Sequence, residues 1–307
     1  MRNKIVIISV LMMSYLGFSQ QDAQYTQYMY NTININPAYA GSAGTLAVFA
    51  LHRTQWVGLD GAPVSNTIAL NVPIADTKLG VGLSFINDKL GPTIENVFSG
   101  DISYTIDTND YYKMSFGIKG SLNSFTLDPG KLDPQFQADP LFASGKSVFS
   151  PNVGAGLYYH SDYTYIGISV PNFINTIRKN EDISANKFSV NKERMNFYLI
   201  GGHVWDLTDD LKFKPAGLVK LISGAPLQAD LSANFMYKER FVLGGAYRWS
   251  AAFSLMAGFQ VNNRLYLGYG YDLETTKLRN FNSGSHEFFI RYEFVGDTYR
   301  TASPRFF

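Results

Sequence analysis

Apolar residues occupy every second position in a series of segments that runs from about residue 44 to the end of the chain. In residues 78–88, for example, Leu79, Val81 and Leu83 fall on one face, and Gly82 and Ser84 fall on the other. A helix would scatter such a set around its circumference, whereas a strand gathers it on one face. The pattern therefore predicts an all-β protein.

About fourteen such segments follow one another, with polar or glycine-containing turns between them. Their predicted centres lie near Val48, Ile68, Leu83, Ser99, Phe116, Ala155, Ile168, Leu199, Ala216, Ala233, Gly245, Met256, Gly268 and Ile290. The connections alternate in length. One set is tight, and the other includes residues 54–63, 122–148, 173–193 and 275–283.

Bacterial outer-membrane barrels place short turns on the periplasmic side and long loops outside the cell. A soluble two-sheet sandwich is the alternative, but it gives no reason for loop length to alternate. The alternation therefore favours a transmembrane antiparallel β-barrel of about 14 strands. An even strand number predicts periplasmic termini, extracellular long loops and an outer-membrane location.

The first nineteen residues have the pattern of a signal peptide. Arg2 and Lys4 precede a short apolar run, and Gly17 and Ser19 supply small residues before a cleavage site ahead of Gln20. An uncleaved anchor is the alternative, although the run is short for a membrane span. The predicted organisation is a signal peptide (1–19), an aromatic-rich segment (20–43) and a barrel (44–307).

Composition agrees with a membrane barrel and excludes several functions. The chain is 15% aromatic and only 17% charged, whereas about 25% charged residues is usual in soluble proteins. Its 26 basic and 25 acidic residues give no field that would recruit nucleic acid. The absence of cysteine excludes disulfides and thiolate chemistry.

Catalytic and metal-binding patterns are missing from the sequence. None of the four histidines lies at metal-ligand spacing from another, and no nucleophile-elbow motif is present. We expect no cofactor, no metal and no enzymatic activity. An outer-membrane hydrolase would need a serine, histidine and acid cluster that only geometry can reveal.

Two sets of residues on the predicted lumenal faces call for an interpretation. The glycines (Gly80, Gly82, Gly154, Gly156, Gly268 and Gly270) would relieve crowding or let backbone approach a plug. The lysines (Lys212, Lys214 and Lys220) could pair with lumenal carboxylates such as Asp272, Glu287 or Glu293, or line an anion-attracting channel. Pairing is favoured, because side chains fill a small lumen.

The stretch before the first strand is polar and rich in asparagine, but it also carries Tyr25, Tyr28, Tyr30 and Tyr39. Tyrosine supplies a large apolar body with a polar tip, which suits burial better than a free tail. We therefore expect these tyrosines to plug the lumen or cap its base.

Several motifs resemble the PorP/SprF family. Residues 21–31 read QDAQYTQYMYN and residues 36–41 read NPAYAG, followed by RTQW (53–56), DGAP (60–63), NDKLGP (87–92) and a terminal PRFF (304–307). The resemblance covers essentially the whole mature chain, with Ala23 where the family pattern has proline. It implies an outer-membrane component of the type IX secretion system that supports export or surface attachment of large adhesins, including those of gliding motility.

The expected partners are the C-terminal region of a secreted adhesin, other type IX secretion components and outer-membrane lipid. Candidate partner-binding residues are Phe125, Phe136 and Phe142 in the longest loop, with Arg53 and Trp56 from the RTQW motif. Aromatic and arginine side chains often dominate protein interfaces. The alternative function is a porin or a transporter of hydrophobic solutes.

Overall fold

A computed structural model describes residues 25–128, 147–176, 188–189, 195–222 and 226–294. The predicted signal peptide, the PRFF motif, Phe136 and Phe142 lie outside these residues. Within them, no helix is long and apolar enough to span a membrane.

Fourteen antiparallel strands form one closed barrel. They are β1 (Leu46–Thr54), β2 (Val64–Pro73), β3 (Leu79–Leu90), β4 (Thr93–Asp107), β5 (Lys113–Leu127), β6 (Ser147–His160), β7 (Thr164–Val170), β8 (Asn196–His203), β9 (Leu211–Ile222), β10 (Gln228–Tyr237), β11 (Phe241–Arg248), β12 (Ala252–Gln260), β13 (Leu265–Glu274) and β14 (Ser285–Phe294). Each strand pairs with its neighbours in sequence, and β1 pairs with β14 to close the sheet. All fourteen predicted strand centres fall within these strands, so the predicted barrel is confirmed.

A few short elements complete the described chain. Residues Trp205–Thr208 continue β8 along the edge of β9, and Asn175–Thr176 pairs with Phe188–Ser189. The others are helical: a 3-10 turn (Tyr28–Tyr30), a one-turn α1 (Thr32–Ile35), a second 3-10 turn (Pro37–Tyr39) and a third (Lys277–Phe281). The stretch ahead of β1 thus forms no strand, as its polar sequence predicts.

Alternate residues of each strand face opposite sides of the barrel wall. Leu83 is 54% exposed on the outer face, whereas the neighbouring Ser84 is buried on the inner face. On β12, Phe253 and Leu255 face outward, and Ser254 faces inward. The outer surface is consequently apolar, and the polar residues of the strands line the interior, as in membrane barrels.

The two ends of the barrel differ in their connections. We call one the long-loop end, because it carries the connections at 55–63, 128–146, 171–195 and 275–284. The short-turn end carries only tight turns and is where β1 starts and β14 ends. The alternation is not complete, because three short connections, 91–92, 223–227 and 249–251, also join strands at the long-loop end.

The longest predicted loop is shorter than its sequence suggests. Phe125 lies within β5, paired in register with Glu95 on β4 and Val148 on β6. Its placement in a loop was therefore wrong. Ser124 and Thr126 share the outward face of Leu122, and Asn123 shares the inward face of Lys119, so polar residues stand on both faces and the apolar alternation that marks a strand is missing here.

Candidate functional site: the barrel interior and the long-loop end

The N-terminal segment (residues 25–44) lies inside the barrel. Its residues contact inward-facing side chains of strands from all around the wall, from β2 and β5 to β13 and β14. Tyr28, Met29, Ile33 and Ala38 are all buried. The barrel core is therefore made by the segment together with the inner wall.

The seam cluster, made of Thr26, Arg53, Asp272 and Glu287, joins the segment to the strands that close the barrel. Arg53 Nη2 lies 2.7 Å from Asp272 Oδ2, and Arg53 Nη1 lies 3.2 Å from Glu287 Oε2. The Thr26 hydroxyl donates to Asp272 at 2.6 Å, and the Thr26 and Gln27 amides donate to the Glu287 carboxylate at 3.0 and 2.9 Å. These groups are buried, and buried charges need such partners. The cluster thus ties the segment to β1, β13 and β14 at once.

A second contact lies midway along the segment. Lys119 Nζ on β5 donates to the backbone carbonyls of Ile33 and Asn34, each at 3.2 Å, and lies 3.5 Å from Asp101 Oδ1. The last carbonyls of a helix lack partners within the helix, so the ammonium group satisfies two of them in α1. Asn36 of the segment also donates, through Nδ2, to the carbonyl of Leu157 on the next strand, β6, at 2.9 Å.

The third contact lies where the segment approaches β1. The Gly41 amide donates to Asn71 Oδ1 at 2.5 Å, and the Ser103 hydroxyl donates to the Ala40 carbonyl at 2.6 Å. Asn71 and Ser103 both lie near the short-turn ends of their strands. The segment is therefore fixed at both ends and in the middle.

Glycines on the inner wall let the segment come close to the strands. A Cβ at Gly117 would lie 2.2 Å from the Ala38 backbone nitrogen, and one at Gly80 would lie 2.3 Å from the Ala40 carbonyl oxygen. Real Cβ atoms do not approach backbone so closely. Gly82 and Gly156 likewise meet side chains of the segment. Close approach of backbone to this segment accounts for these glycines, whereas Gly268 makes room for the Phe289 ring.

The four predicted plug tyrosines all contact the inner wall. The Tyr25 hydroxyl hydrogen-bonds to the Thr67 hydroxyl at 2.9 Å. The centroid of the Tyr30 ring lies 4.9 Å from that of Phe289 and 5.4 Å from that of Tyr266, which is within the range of favourable aromatic pairs. Tyr39 packs edge-on to Tyr158, and Tyr28 is buried.

The inward lysines of β9 have other neighbours than those predicted. Asp272 and Glu287 form their ion pairs with Arg53, and Lys212 lies 3.1 Å from Glu239 at the short-turn end. The Lys214 ammonium lies 5.4 Å from the Tyr30 ring centroid, a cation–π distance. Arg53 was not predicted as the partner of Asp272 and Glu287, because β1 is distant in sequence from β13 and β14.

Two loops are joined at the long-loop end. Trp56 Nε1 donates to Glu274 Oε1 at 2.8 Å, and the Trp56 amide donates to Ser285 Oγ at 3.1 Å. The Val57 amide donates to the Gly284 carbonyl at 2.8 Å. Trp56 also adopts a left-handed backbone with φ of 50°, which is uncommon without glycine. These bonds hold the 55–63 and 275–284 connections as one rim.

A family model for the type IX secretion system membrane protein PorP/SprF matches residues 17–292. The match includes the segment, the seam cluster and all barrel strands except the last two residues of β14. The chain belongs to this family. None of the curated proteins matches this member of the PorP/SprF family.

Solved barrels resemble this PorP/SprF protein in fold. The CymD monoaromatic hydrocarbon channel has 14% sequence identity and a TM-score of 0.51, with 91% of this chain and 96% of that chain covered. The Ralstonia pickettii toluene transporter TbuX has 10% identity and a TM-score of 0.48, with 84% and 91% covered. Omp33 of Acinetobacter baumannii has 7% identity and a TM-score of 0.47, with 81% and 98% covered. At this identity, the likeness to CymD indicates the outer-membrane barrel fold alone.

The five candidate partner-binding residues lie in different places. Arg53 is only 2% exposed inside the barrel, where a partner at the surface would not reach it. Trp56 lies in the rim, Phe125 lies in β5, and Phe136 and Phe142 lie outside the described residues. The structure therefore brings Arg53 together with Thr26 of the N-terminal segment rather than with the other candidates. No group of three histidine or acidic residues in the described part of the chain could hold a metal.

The sequence analysis missed Lys119, Asp101 and Thr26 as residues of the interior. A lysine at an inward position of a mid-barrel strand is a usable signal, because such a charge needs a buried partner. Its partners could not be identified, since two of them are backbone carbonyls of the segment.

Proposed function

We propose that this member of the PorP/SprF family holds the C-terminal region of a large secreted adhesin at the outer membrane. It acts by binding at the long-loop end, with that end outside the cell, and it is not an enzyme. Adhesins of gliding motility are the cargo class we favour. Other type IX secretion components would deliver the adhesin to this end.

The position of the N-terminal segment against the inner wall is the observation that supports binding at the loops. The N-terminal segment is fixed by buried ion pairs and hydrogen bonds at three levels, so a cargo that entered the interior would have to displace it. A partner is then left with the ends of the barrel and its outer wall. The long-loop end is favoured, because rigid scaffolds usually present binding residues on loops.

Apolar side chains at the long-loop end supply possible anchors. Phe281 is 68% exposed and Leu59 is 37% exposed, on the two loops that the Trp56 contacts join. Exposed aromatic residues on a preorganised rim are typical of the central contacts of protein interfaces. The predicted anchors Phe136 and Phe142 lie in residues 129–146, outside the described part of the chain.

A porin or hydrophobic-solute transporter is the second candidate. The specific observation in its favour is the fold of CymD, which is described as a monoaromatic hydrocarbon channel. The two functions differ in the conductance of the wild-type barrel. A large, stable current in planar bilayers would favour transport, whereas a closed barrel would favour binding.

The function is tested by replacing residues 129–145 with a glycine–serine linker of equal length. A secreted protein should co-purify with the wild-type barrel in mild detergent. In the variant with the replaced loop, the amount of this secreted protein at the cell surface should fall by about tenfold, which corresponds to about 1.4 kcal/mol of binding free energy. The abundance of the folded barrel should not change.

A matched control replaces residues 108–112 at the short-turn end with a linker of equal length. This variant should keep normal surface display. Normal display from the 129–145 variant would remove that loop from the mechanism. Loss of display from both variants would indicate a general effect on the barrel.

A further inference from the structure

We propose that the outer wall of the barrel binds one lipid with a sugar headgroup, on the side formed by β1 to β5. An acyl chain of this lipid lies in a groove over β2 to β5. Its headgroup lies on a row of polar side chains at the long-loop end of that groove. The site is outside the barrel, so it is separate from the interior and does not depend on the adhesin partner.

A groove of about 610 Å³ lies in the outer wall where β4 meets β5. Gly100 and Gly120, which stand opposite each other in register, form its floor. A Cβ at Gly120 would meet nothing within 4 Å, so the space above the floor is open. The sides are apolar residues exposed on the outer face, including Ile68, Leu83 and Phe98. Glycine within a strand often marks the close approach of a ligand, and the volume is that of a small-ligand site.

A row of polar side chains closes the groove toward the long loops. This amide row consists of His52, Asn66, Asn87 and Asn96, which stand in register on β1 to β4 and are exposed or half-buried on the outer face. His52 Nδ1 lies 2.7 Å from Asn66 Oδ1. Asn66 Nδ2 donates to Asn87 Oδ1 at 3.4 Å, and Asn87 Nδ2 donates to Asn96 Oδ1 at 2.8 Å. Because an amide has two N–H donors and two lone pairs, these bonds leave each asparagine able to bind a further group.

The amide row is local to this side of the barrel. On β3 and β4 it follows directly on Phe85 and Phe98, whose ring centroids lie 4.5 Å apart. On the opposite side, Phe253 and Leu273 pair at the same end of their strands and are both exposed on the outer face. Aromatic residues usually flank the apolar band of membrane barrels. A hydrogen-bonded row of amides beside the groove is therefore a separate feature.

The chemistry of the amide row fits a sugar headgroup. Four neighbouring strands span three inter-strand spacings, which amount to about 14 Å. The asparagine side chains are neutral and both donate and accept hydrogen bonds, as sugar hydroxyls do. Lys89 is exposed on the outer face of β3, two residues nearer the long loops than Asn87, and its ammonium group can bind a phosphate on the same headgroup. A headgroup without a sugar would offer few hydroxyls to so long a row.

The test uses the folded barrel in mild detergent and an equimolar mixture of two lipids with acyl chains of the same length. One is an acylated diglucosamine with two phosphates, and the other is phosphatidylglycerol, which has a phosphate but no sugar. Native mass spectrometry measures how much of each lipid the barrel retains, and heat-dependent gel mobility checks folding. The wild type should retain one diglucosamine lipid with about tenfold preference, the effect of one or two additional hydrogen bonds.

Gly120→Leu should fill the groove and lower retention of the diglucosamine lipid by about tenfold, which corresponds to the loss of about two buried methylene groups. Gly245→Leu is the matched control, because Gly245 lies on the outer face of β11, on the opposite side of the barrel. Asn87→Ala should leave the groove open but abolish the preference for the sugar. Lys89→Gln should lower retention of the phosphorylated diglucosamine lipid and not that of its phosphate-free form.

Equal retention of the two lipids by the wild type would overturn the sugar headgroup. Equal losses in Gly120→Leu and Gly245→Leu would indicate a general coat of lipid and overturn the groove. An unchanged preference in Asn87→Ala, or equal effects of Lys89→Gln on both forms of the diglucosamine lipid, would overturn the assigned headgroup contacts. These measurements involve no secreted protein, so their failure is distinct from a failure of the proposed function.

Discussion

Arg53 and Glu287 stand directly opposite each other in the ladder that joins β1 to β14, with Nη1 of the arginine 3.2 Å from Oε2 of the glutamate. Their strands are the first and the last of the barrel. The same glutamate accepts hydrogen bonds from two amides of the N-terminal segment. Closure of the barrel and placement of the segment therefore depend on one buried pair.

Arg53→Ala should destabilise the barrel strongly, because it leaves two buried carboxylates without their cation. Breaking a buried ion pair costs about 3–5 kcal/mol. The midpoint of urea unfolding, followed by gel mobility, measures the effect. His52→Ala is the matched control, since the adjacent His52 faces outward and is exposed. Equal effects of the two variants would contradict the role of the seam cluster.

Gly117→Ala should displace the segment, because the added Cβ would lie 2.2 Å from the Ala38 backbone nitrogen. Chymotrypsin should then cut folded barrels at Tyr28, Tyr30 or Tyr39, which are buried in the wild type. Mass spectrometry of the digested barrel identifies these cuts. Gly120→Ala is the control on the same strand, because a Cβ there meets nothing within 4 Å. A protected segment in Gly117→Ala would show that the wall adjusts.

Deletion of residues 21–43 should increase conductance in planar bilayers, because the segment occupies the interior of the wild-type barrel. Folding of the deletion variant is checked first by heat-dependent gel mobility. The Gly120→Ala barrel, which keeps the segment, should conduct like the wild type. Unchanged conductance in a correctly folded deletion variant would mean that other parts of the chain close the lumen.

Leu83→Arg should impair folding of the barrel, because this outward side chain lies near the middle of β3. Arginine at the bilayer midplane costs about 2–4 kcal/mol, and the cost falls to about 0–1 kcal/mol near the interfaces. Gln260→Arg is the control, because Gln260 lies at the end of β12 and on its inward face. The folded fraction in lipid vesicles at increasing urea gives the comparison. Equal losses would contradict the assigned outer face.

Ser84 is not a suitable control for Leu83, although alternation alone suggests it. Its side chain is only 7% exposed on the inner wall. Arginine at this position would compete with the segment for space. The sequence predicts the face of the residue correctly, but the crowding of the interior follows only from the position of the segment.

The sequence by itself determined the strands, their faces and their number. Residues such as Leu83 and Ser84 alternate with the period of a strand, and each strand pairs with its neighbour along the chain, so local information is sufficient. The inward glycines also indicated a close approach of backbone. The family motifs predicted the secretion system, and the match to the family model confirmed it.

The tertiary structure decided the partners across the interior. Arg53 lies 219 residues from Asp272 and 234 residues from Glu287, and nothing in local periodicity relates such distant positions. The carbonyls that Lys119 binds belong to backbone, which the sequence does not distinguish from one residue to the next. The position of the segment was likewise hidden, because its short helical turns have no apolar period, and only the closed wall around them fixes where they lie.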